Sequence, residues 1–548
     1  MQWLQRKQKA RVNSNESLTD RVLRARGITD PDRFLNPTKD DLHDPYLMKN
    51  IERASNRIQE AIKNKERICL SYDADADGLT STTIMMRYLK HYTDNITYIY
   101  SERSEGHGIE NQVRQFEEAN KEDNIDLLII IDSSSNDSST CEKIKDMDTD
   151  IIILDHHIIE NNNPYVVLVN PQQEDCDYPN KGLSGAGVVY KVIHVLEDKL
   201  KGGVDVEQYI DLVAVGMSAD VMPVDVLENR YLIYQGLRNV KNTGLIRILK
   251  GAKADLYRLN SDSIGFKIAP LINGVARLDN IKLAIDILLE DDDTVCKKLR
   301  LKMQKLNEKR KEMQKEITKR YIEQADDSKK VIFIADEESS KGFNGLVAQQ
   351  LVEKYKRPVI VGRVSEGKFS GSFRSYNRFK FKKFLSEFEG EIKAQGHEPA
   401  GGIIINQGDI PLLLEYIERF MPEIGETKPT IMYDIELSVE EAKECAYEME
   451  RINHIVGNGF PKVIAKITDI TIESVDVIGD TRETVKFKTL DGVDLIKFMV
   501  NEDYAAELDI FDSINVVGQL QMNVWFNFAK KERIVTPQIM LEDYEVVG

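Results

Sequence analysis

The stretch that most constrains this chain runs from Arg67 to Thr83, where an apolar segment, ICLSY, passes straight into three alternating aspartates, a glycine and a run that reads as a helix from Leu79 to His91. Such an apolar run is a buried strand packed by the helix that follows it. Asp73, Asp75 and Asp77 at its carboxyl end gather negative charge that is tolerable only where cations neutralise it. At a period of two, alternate residues share a face, so the spacing aims the three carboxylates at one place, and Gly78 reads as the tight turn into the helix. A solvated acidic loop and a calcium loop are the other readings of this stretch. The calcium loop lacks its closing glutamate, because Ile84 stands at that position.

Three further polar clusters follow strand-like or helix-like apolar runs. NITYIYS, DLLIIID and TDIIILD alternate with helical patterns, as in βαβ units of a largely parallel sheet. Ligands of such sheets gather at the carboxyl ends of the strands. Two of these strands end in Asp132 and in Asp155-His156-His157, and an apolar helix, DLVAVGMSAD, ends in Asp220. Carboxylates and imidazole together suit manganese or a similar divalent ion. Four such clusters on separate elements are what a two-metal centre requires.

The 548 residues suffice for about three or four domains. Cys69, Cys141, Cys176, Cys296 and Cys445 are scattered without a CxxC pair, which argues against a disulfide framework and a thiolate zinc site. A net charge of −18 argues against a chain that coats nucleic acid over its whole surface, while leaving room for local basic grooves. No apolar run reaches membrane-spanning length and MQWLQRKQKARVN is not a signal peptide, so a soluble cytoplasmic protein is expected.

The set YDADADG, IIID, DHH and SAD resembles motifs one to four of the DHH phosphoesterase superfamily. ARGITDPDRFLNP, LHDPYLM, NPQQEDCDYPNKGLSGAGVVYKV and ENRYLIYQGL look like the flanks of the RecJ-like single-strand-specific 5′-to-3′ exonucleases, as do PLINGVARLDN, SGSFRS, QGHEPAGG and VGNGFPK further on. The resemblance implies metal ligands at Asp75, Asp77, Asp132, His156 and Asp220. Asp73 is implied as a ligand or a residue behind the ligands, Asp155 as a bridging or orienting carboxylate, and His157 as a hydrogen-bond donor near the scissile phosphate. Ser71 stands where many relatives carry His, DSSSNDSS lacks the usual glycine, and Leu271 and Ala276 replace an Arg and a Gly, while Asn273 and Arg277 remain.

The expected fold is α/β: a helical segment over 1–60, a DHH domain over 61–290, a connecting helix over 291–325, a DHH-associated α/β domain over 326–427, and a helix with an OB-like β-barrel over 428–548. The connecting helix follows from a long run free of Gly and Pro, and the barrel from short alternating strands with turn signals. In GKFSGSFRSYNRFKFKKF cations alternate with aromatics, a pattern suited to unpaired bases, although most of the phenylalanines read as core. Substrate contacts are expected at Asn273, Arg277, Ser372, Arg374, Ser375, Gly396, His397 and Trp525, with at most one of Trp525, Phe526 and Phe528 stacking on a base. The resemblance implies hydrolysis of single-stranded DNA with two Mn²⁺ or Mg²⁺ ions in repair, recombination or replication. It implies a monomer in a bacterial or phage-infected cell, partnered by a single-strand-binding protein or a helicase. A phosphodiesterase for short oligonucleotides or RNA, and an inactive replisome scaffold, are the alternatives.

Overall fold

The computed structural model describes residues 1–9, 16–425, 429–479, 482–527 and 531–547, without the side chains of Phe526 and Asn527. The chain divides into two compact units, one built from residues 43–222 and 235–427, the other from 1–42, 223–234 and 428–548.

The first unit opens on a five-stranded, all-parallel sheet in the order Ile96–Tyr100, Ile68–Tyr72, Leu127–Ile131, Asp150–Leu154, Val167–Val169. Runs such as LLIII are buried at every position because helices cover both faces of the sheet. In chain order the strands stand 2-1-3-4-5. The order therefore reverses between Ile68–Tyr72 and Leu127–Ile131, and a crevice opens at the carboxyl ends of those two strands. Asp73 and Asp132 are the residues immediately beyond them.

A helix of 32 residues, Asp293–Gln324, leads from this sheet to a second one. At 1.5 Å per residue it is about 48 Å long. Asp292 caps it, accepting from the amides of Thr294 and Val295. The second sheet runs Ile392–His397, Ala400–Asn406, Lys368–Arg374, Val359–Ser365, Ile332–Ala335, antiparallel except for its last pair. Phe369, Phe373, Ile403 and Ile405 lie on one face, packed with Phe381, Phe384, Leu413 and Ile417. The phenylalanines of the cation-aromatic stretch thus fill a core. Helix Lys341–Tyr355 lies on the other face, against Val359 and Val361.

In the second unit, strands Ala465–Ile478, Thr484–Thr489, Asp494–Phe498, Glu532–Val546 and Ser513–Asn527 pair in that order, and the last pairs back onto the first. That closed five-stranded ring is the OB architecture. Helix Val439–Ile452 precedes it, held by a reciprocal cap between Ser438 and Glu441.

One expectation fails at the N-terminus. Residues 1–60 are not helical throughout: Gln2–Gln5 is a strand, paired in parallel with Thr430–Tyr433. Nothing local marks it, because its partner lies at the far end of the chain. Helices Leu18–Ala25, Pro31–Leu35 and Ile51–Asn64 follow.

Candidate active site

The aspartates after Ile68–Tyr72 converge by a different route from strand alternation. The strand ends at Tyr72, and the helix begins at Ala76 rather than Leu79. Asp75 is its N-cap, accepting from the amides of Asp77 at 3.1 Å and Gly78 at 3.0 Å, and Asp77 stands in the first turn. Capping satisfies amides that a helix start leaves open and draws negative charge to its positive end. Gly78 is helical and makes no turn. It is glycine because a Cβ would stand 2.7 Å from the Asp73 carbonyl oxygen.

Asp77 is buried and reaches a second helix start. Its carboxylate accepts from the Ser184 hydroxyl (2.9 Å) and the amides of Gly185 (2.7 Å) and Ala186 (3.0 Å), at the head of helix Gly185–Leu200. Asp132 has a left-handed backbone, φ +64°, that turns its buried side chain into the crevice. Across from it, the Nε2 atom of His156 lies 3.2 Å from Asp132, 3.4 Å from Asp220 and 3.8 Å from Asp77. Asp220 arrives from the C-terminal cap of helix Ile210–Ala219.

Asp73 and Asp155, both expected among the ligands, have their oxygens taken by protein donors. The carboxylate of Asp155 accepts from the amides of His156 and His157, from Nδ1 of His157 at 2.7 Å, and from the amide and hydroxyl of Ser135. Asp73 accepts from the Ala74 amide and meets Nδ1 of His107 at 2.5 Å. Ser71 donates to Gln112 at 2.7 Å and stays in the strand.

The electrostatics follow from burial and crowding. Burial, with Asp73 beside it, raises the carboxyl of Asp75. Burial and the Asp77 charge raise Asp132 well above its ordinary value, and burial with Asp77 and Asp75 pushes Asp220 up to about 7. Burial holds the His156 imidazole below its ordinary value, against the pull of Asp77. The hydrogen bond that His157 donates to Asp155 pushes the His157 imidazole up to about 9. Burial alone would raise Asp155, but His157, His156 and Ser135 outweigh it and hold that carboxyl low.

The residues fit divalent cations. Oδ1 of Asp132 and Nε2 of His156 are buried without a hydrogen-bond partner. Asp77, His156 and Asp220, and likewise Asp132, Asp155, His156 and His157, bring one ligand atom each within 4.8 Å of one another. Gly185 and Gly216 leave the space: a Cβ on Gly185 would stand 2.5 Å from Oδ1 of Asp132, and one on Gly216 would collide with Asp77. Carboxylate oxygens with one imidazole suit manganese or magnesium.

A cationic cluster in the same unit includes two of the expected substrate contacts, Arg277 and Arg374. Burial, then Arg103, Arg310 and Arg374, lower Arg277 to about 10. One of its amino groups donates to the Gly342 carbonyl at 2.7 Å. Oδ1 of Asn273, one helical turn earlier, has no hydrogen-bond partner. Ser372 and Arg374 share one face of strand Lys368–Arg374, whereas the Ser375 hydroxyl is spent on the Phe379 carbonyl. Gly396, with φ +109°, and His397 end a strand that turns back at Ala400. Trp525 belongs to the second unit, where it is 45% exposed and pairs with Ile534. Phe528 lies outside the described residues.

Sequence reasoning missed His107, Arg103, Arg310 and the head of helix Gly185–Leu200. The SEGHG run, with left-handed glycines at 106 and 108 around His107, was a signal for the first. SGAG before an apolar run was a signal for the last.

The comparisons agree with this picture. The DHH family, N-terminal domain, matches residues 67–217, and the RecJ OB domain matches residues 433–543. The Bacillus subtilis single-stranded-DNA-specific exonuclease RecJ is 29% identical over 94% of this chain and 65% of its own length, so the chain spans less than two thirds of that protein. A putative SPbeta prophage-derived single-strand DNA-specific exonuclease, YorK, of Bacillus subtilis is 29% identical over 96% of this chain and 95% of its own. Among solved structures, RecJ of Thermus thermophilus in complex with Mn²⁺ matches 96% of this chain and 75% of its own, with a TM-score of 0.76 at 23% identity. An exonuclease RecJ bound to manganese matches 69% of this chain and 96% of its own, with a TM-score of 0.58 at 27% identity. The chain thus carries a match to the DHH family, N-terminal domain, at residues 67–217 and to the RecJ OB domain at residues 433–543, in a fold similar to that of RecJ.

Proposed function

We propose that this protein is a metal-dependent exonuclease that hydrolyses phosphodiester bonds of single-stranded DNA from the 5′ end. The observation that carries the reading is the convergence of Asp77, Asp132, His156 and Asp220 at the switch point of the parallel sheet, with unpartnered buried ligand atoms. Asp75, Asp77, Asp132, His156 and Asp220 would hold two divalent cations, manganese or magnesium. When bound, such ions neutralise the scissile phosphate and activate water for attack.

The remaining work belongs to the chain. Asp155 fixes the ring of His157 through Nδ1, which keeps a proton on the imidazole and leaves Nε2 to donate to a phosphate oxygen. Asp73 and His107 brace the capped loop from behind. Arg277 and Arg374, with Arg103 and Arg310 nearby, hold the phosphates of the incoming end. Ser372, Gly396 and His397 add contacts from the second sheet and Asn273 from the turn before Arg277, and Trp525 offers a face for base stacking in the OB domain. The domain division proposed is that of the sequence: 1–60, 61–290, 291–325, 326–427 and 428–548.

No helix among the described residues is long and apolar enough to cross a membrane. A monomer in the cytoplasm of a bacterium or a phage-infected cell, working beside a single-strand-binding protein or a helicase in repair, recombination or replication, completes the proposal. Intact acidic clusters favour this over an inactive scaffold.

The test is manganese-dependent release of mononucleotides from strands labelled at either end, with 5′-blocked, duplex and RNA controls and Asp132→Ala alongside. Degradation of single-stranded DNA from its 5′ end, abolished in the variant, is the expected result. Cleavage confined to short oligonucleotides, or binding without cleavage, would replace the proposal with one of its alternatives.

A further inference from the structure

Beside the arginine cluster, the second sheet of the first unit carries a pocket of about 250 Å³ that the expected site residues do not use. Ser339, Lys341, Asn344, Arg363, Lys368 and Ser370 line it, and none of its lining residues is a carboxylate. Lys341, Arg363 and Lys368 are exposed and form no ion pair among the described residues. Asn344 is only 2% exposed, and its side-chain oxygen takes the Ser339 hydroxyl at 2.7 Å. Its amide nitrogen makes no hydrogen bond with another described residue, and Ile404 completes a lining otherwise made of cations and hydroxyls. An anion in the pocket would meet the cationic groups of Lys341, Arg363 and Lys368 and the Asn344 amide.

The sheet register ties this pocket to the cleft. Arg363 lies opposite Ser370, and Ser370 opposite Ile404, so their side chains stand in one row across three strands. Ser370, Ser372 and Arg374 alternate along one strand and therefore share that face. From Ser370 to Arg374 is about 13 Å at 3.3 Å per residue. One apolar core occupies the opposite face, and helix Lys341–Tyr355 packs on this one, against Val359 and Val361. Arg374 and Ser372 thus share a strand face with Ser370 of the pocket, and no acidic residue lines the pocket.

We propose that this pocket is a phosphate-binding subsite that holds a backbone phosphate of the single strand away from the metal centre. The inference rests on the exonuclease reading and adds to it a second point of hold, so that long strands are bound more tightly than short ones. The chemistry recognised is a phosphate group, and free phosphate is the competing source.

The experiment uses the full chain carrying Arg363→Ala and Lys368→Ala, two exposed positions whose backbone pairing is untouched, with Arg363→Glu as a second variant. Strand binding is read with Asp132→Asn added, so that the DNA stays intact. Affinity for a long single strand should fall about 10-fold at low salt. The slope of log affinity against log salt should flatten by about 0.7, the contribution of one phosphate contact on a single strand. Mononucleotide release from trinucleotides, measured with Asp132 intact, should be unchanged. Unchanged affinity and slope overturn the inference, as do equal losses on trinucleotides and long strands. If inorganic phosphate binds the parent chain and not the variant while strand affinity stays the same, the pocket is a free-phosphate site and the strand assignment is wrong. If the parent chain neither binds nor degrades single strands, the exonuclease reading falls first and this inference with it.

Discussion

Replacing Gly185 by Ala tests how closely the metal cluster is built around missing side chains. The added Cβ would stand 2.5 Å from Oδ1 of Asp132 and 2.8 Å from its Cβ and Cγ, where ordinary contact begins at 3.4 Å. Asp132 or the head of helix Gly185–Leu200 must therefore move by about 0.9 Å. Both moves damage the centre, because Asp132 carries an unpartnered oxygen of the cluster and the Gly185 amide holds Asp77 at 2.7 Å. Overpacking of this kind costs about 1–3 kcal/mol. Alanine recovers at most about 1 kcal/mol of helix propensity, so the protein stays folded. A misplacement near 1 Å at a reacting centre costs about 100-fold in rate. The expected outcome is a loss of about that size in manganese-dependent release from single-stranded DNA, with the melting temperature in chelator lowered by only a few degrees and the stabilisation by manganese largely lost. Gly408→Ala, where nothing lies within 4 Å of the added carbon, is the matched control. Parental activity and parental manganese stabilisation in Gly185→Ala would refute the reasoning.

Three further outcomes are expected. Ser184→Ala removes a helix cap and a hydroxyl donor to Asp77, so it should cost about 1 kcal/mol by denaturant titration and weaken manganese binding by calorimetry. Arg230 is 2% exposed, stacks 3.7 Å over Phe34 and donates to the carbonyls of Phe34, Val224 and Ile455; Arg230→Ala should cost about 3–5 kcal/mol, read as early melting of the OB-containing unit. Burial pushes the Asp336 carboxyl up, but donors from Gln324, Glu338 and Arg320 outweigh it and hold it below its ordinary value. A depressed carboxyl stabilises above its unfolded pKa and loses that contribution as pH falls through the folded one, so the stability gap between the parent chain and Asp336→Asn should be full at pH 7 and close below about pH 4.

What could be read in advance was whatever the chain writes locally. Asp132 and Asp155-His156-His157 each end a run of β-branched residues buried on both sides, and strand ends of that kind are where a parallel sheet collects ligands. The 32-residue helix and the core phenylalanines of the second sheet were legible for the same reason: composition and period decide them. The rest depends on distant partners. Asp75 and Asp77 converge through helix capping and through a helix start more than a hundred residues away, not through strand alternation. Asp73 and Asp155 carry the same side chain as Asp132, whose Oδ1 is unpartnered, and are set apart from it by the donors that surround them, His107 for one and Ser135 and His157 for the other. The strand Gln2–Gln5 exists because Thr430–Tyr433 is there to pair with it.

The central claim is that this crevice is a two-ion site, and counting the ions tests it most directly. Manganese titrated into the full-length chain, followed by calorimetry and by the EPR signal of free Mn²⁺, should give two ions per chain. It should give a reduced count in His156→Ala, whose Nε2 lies 3.2–3.8 Å from three of the carboxylates. No saturable binding in the parent chain, or two ions held equally well by His156→Ala, would contradict the account.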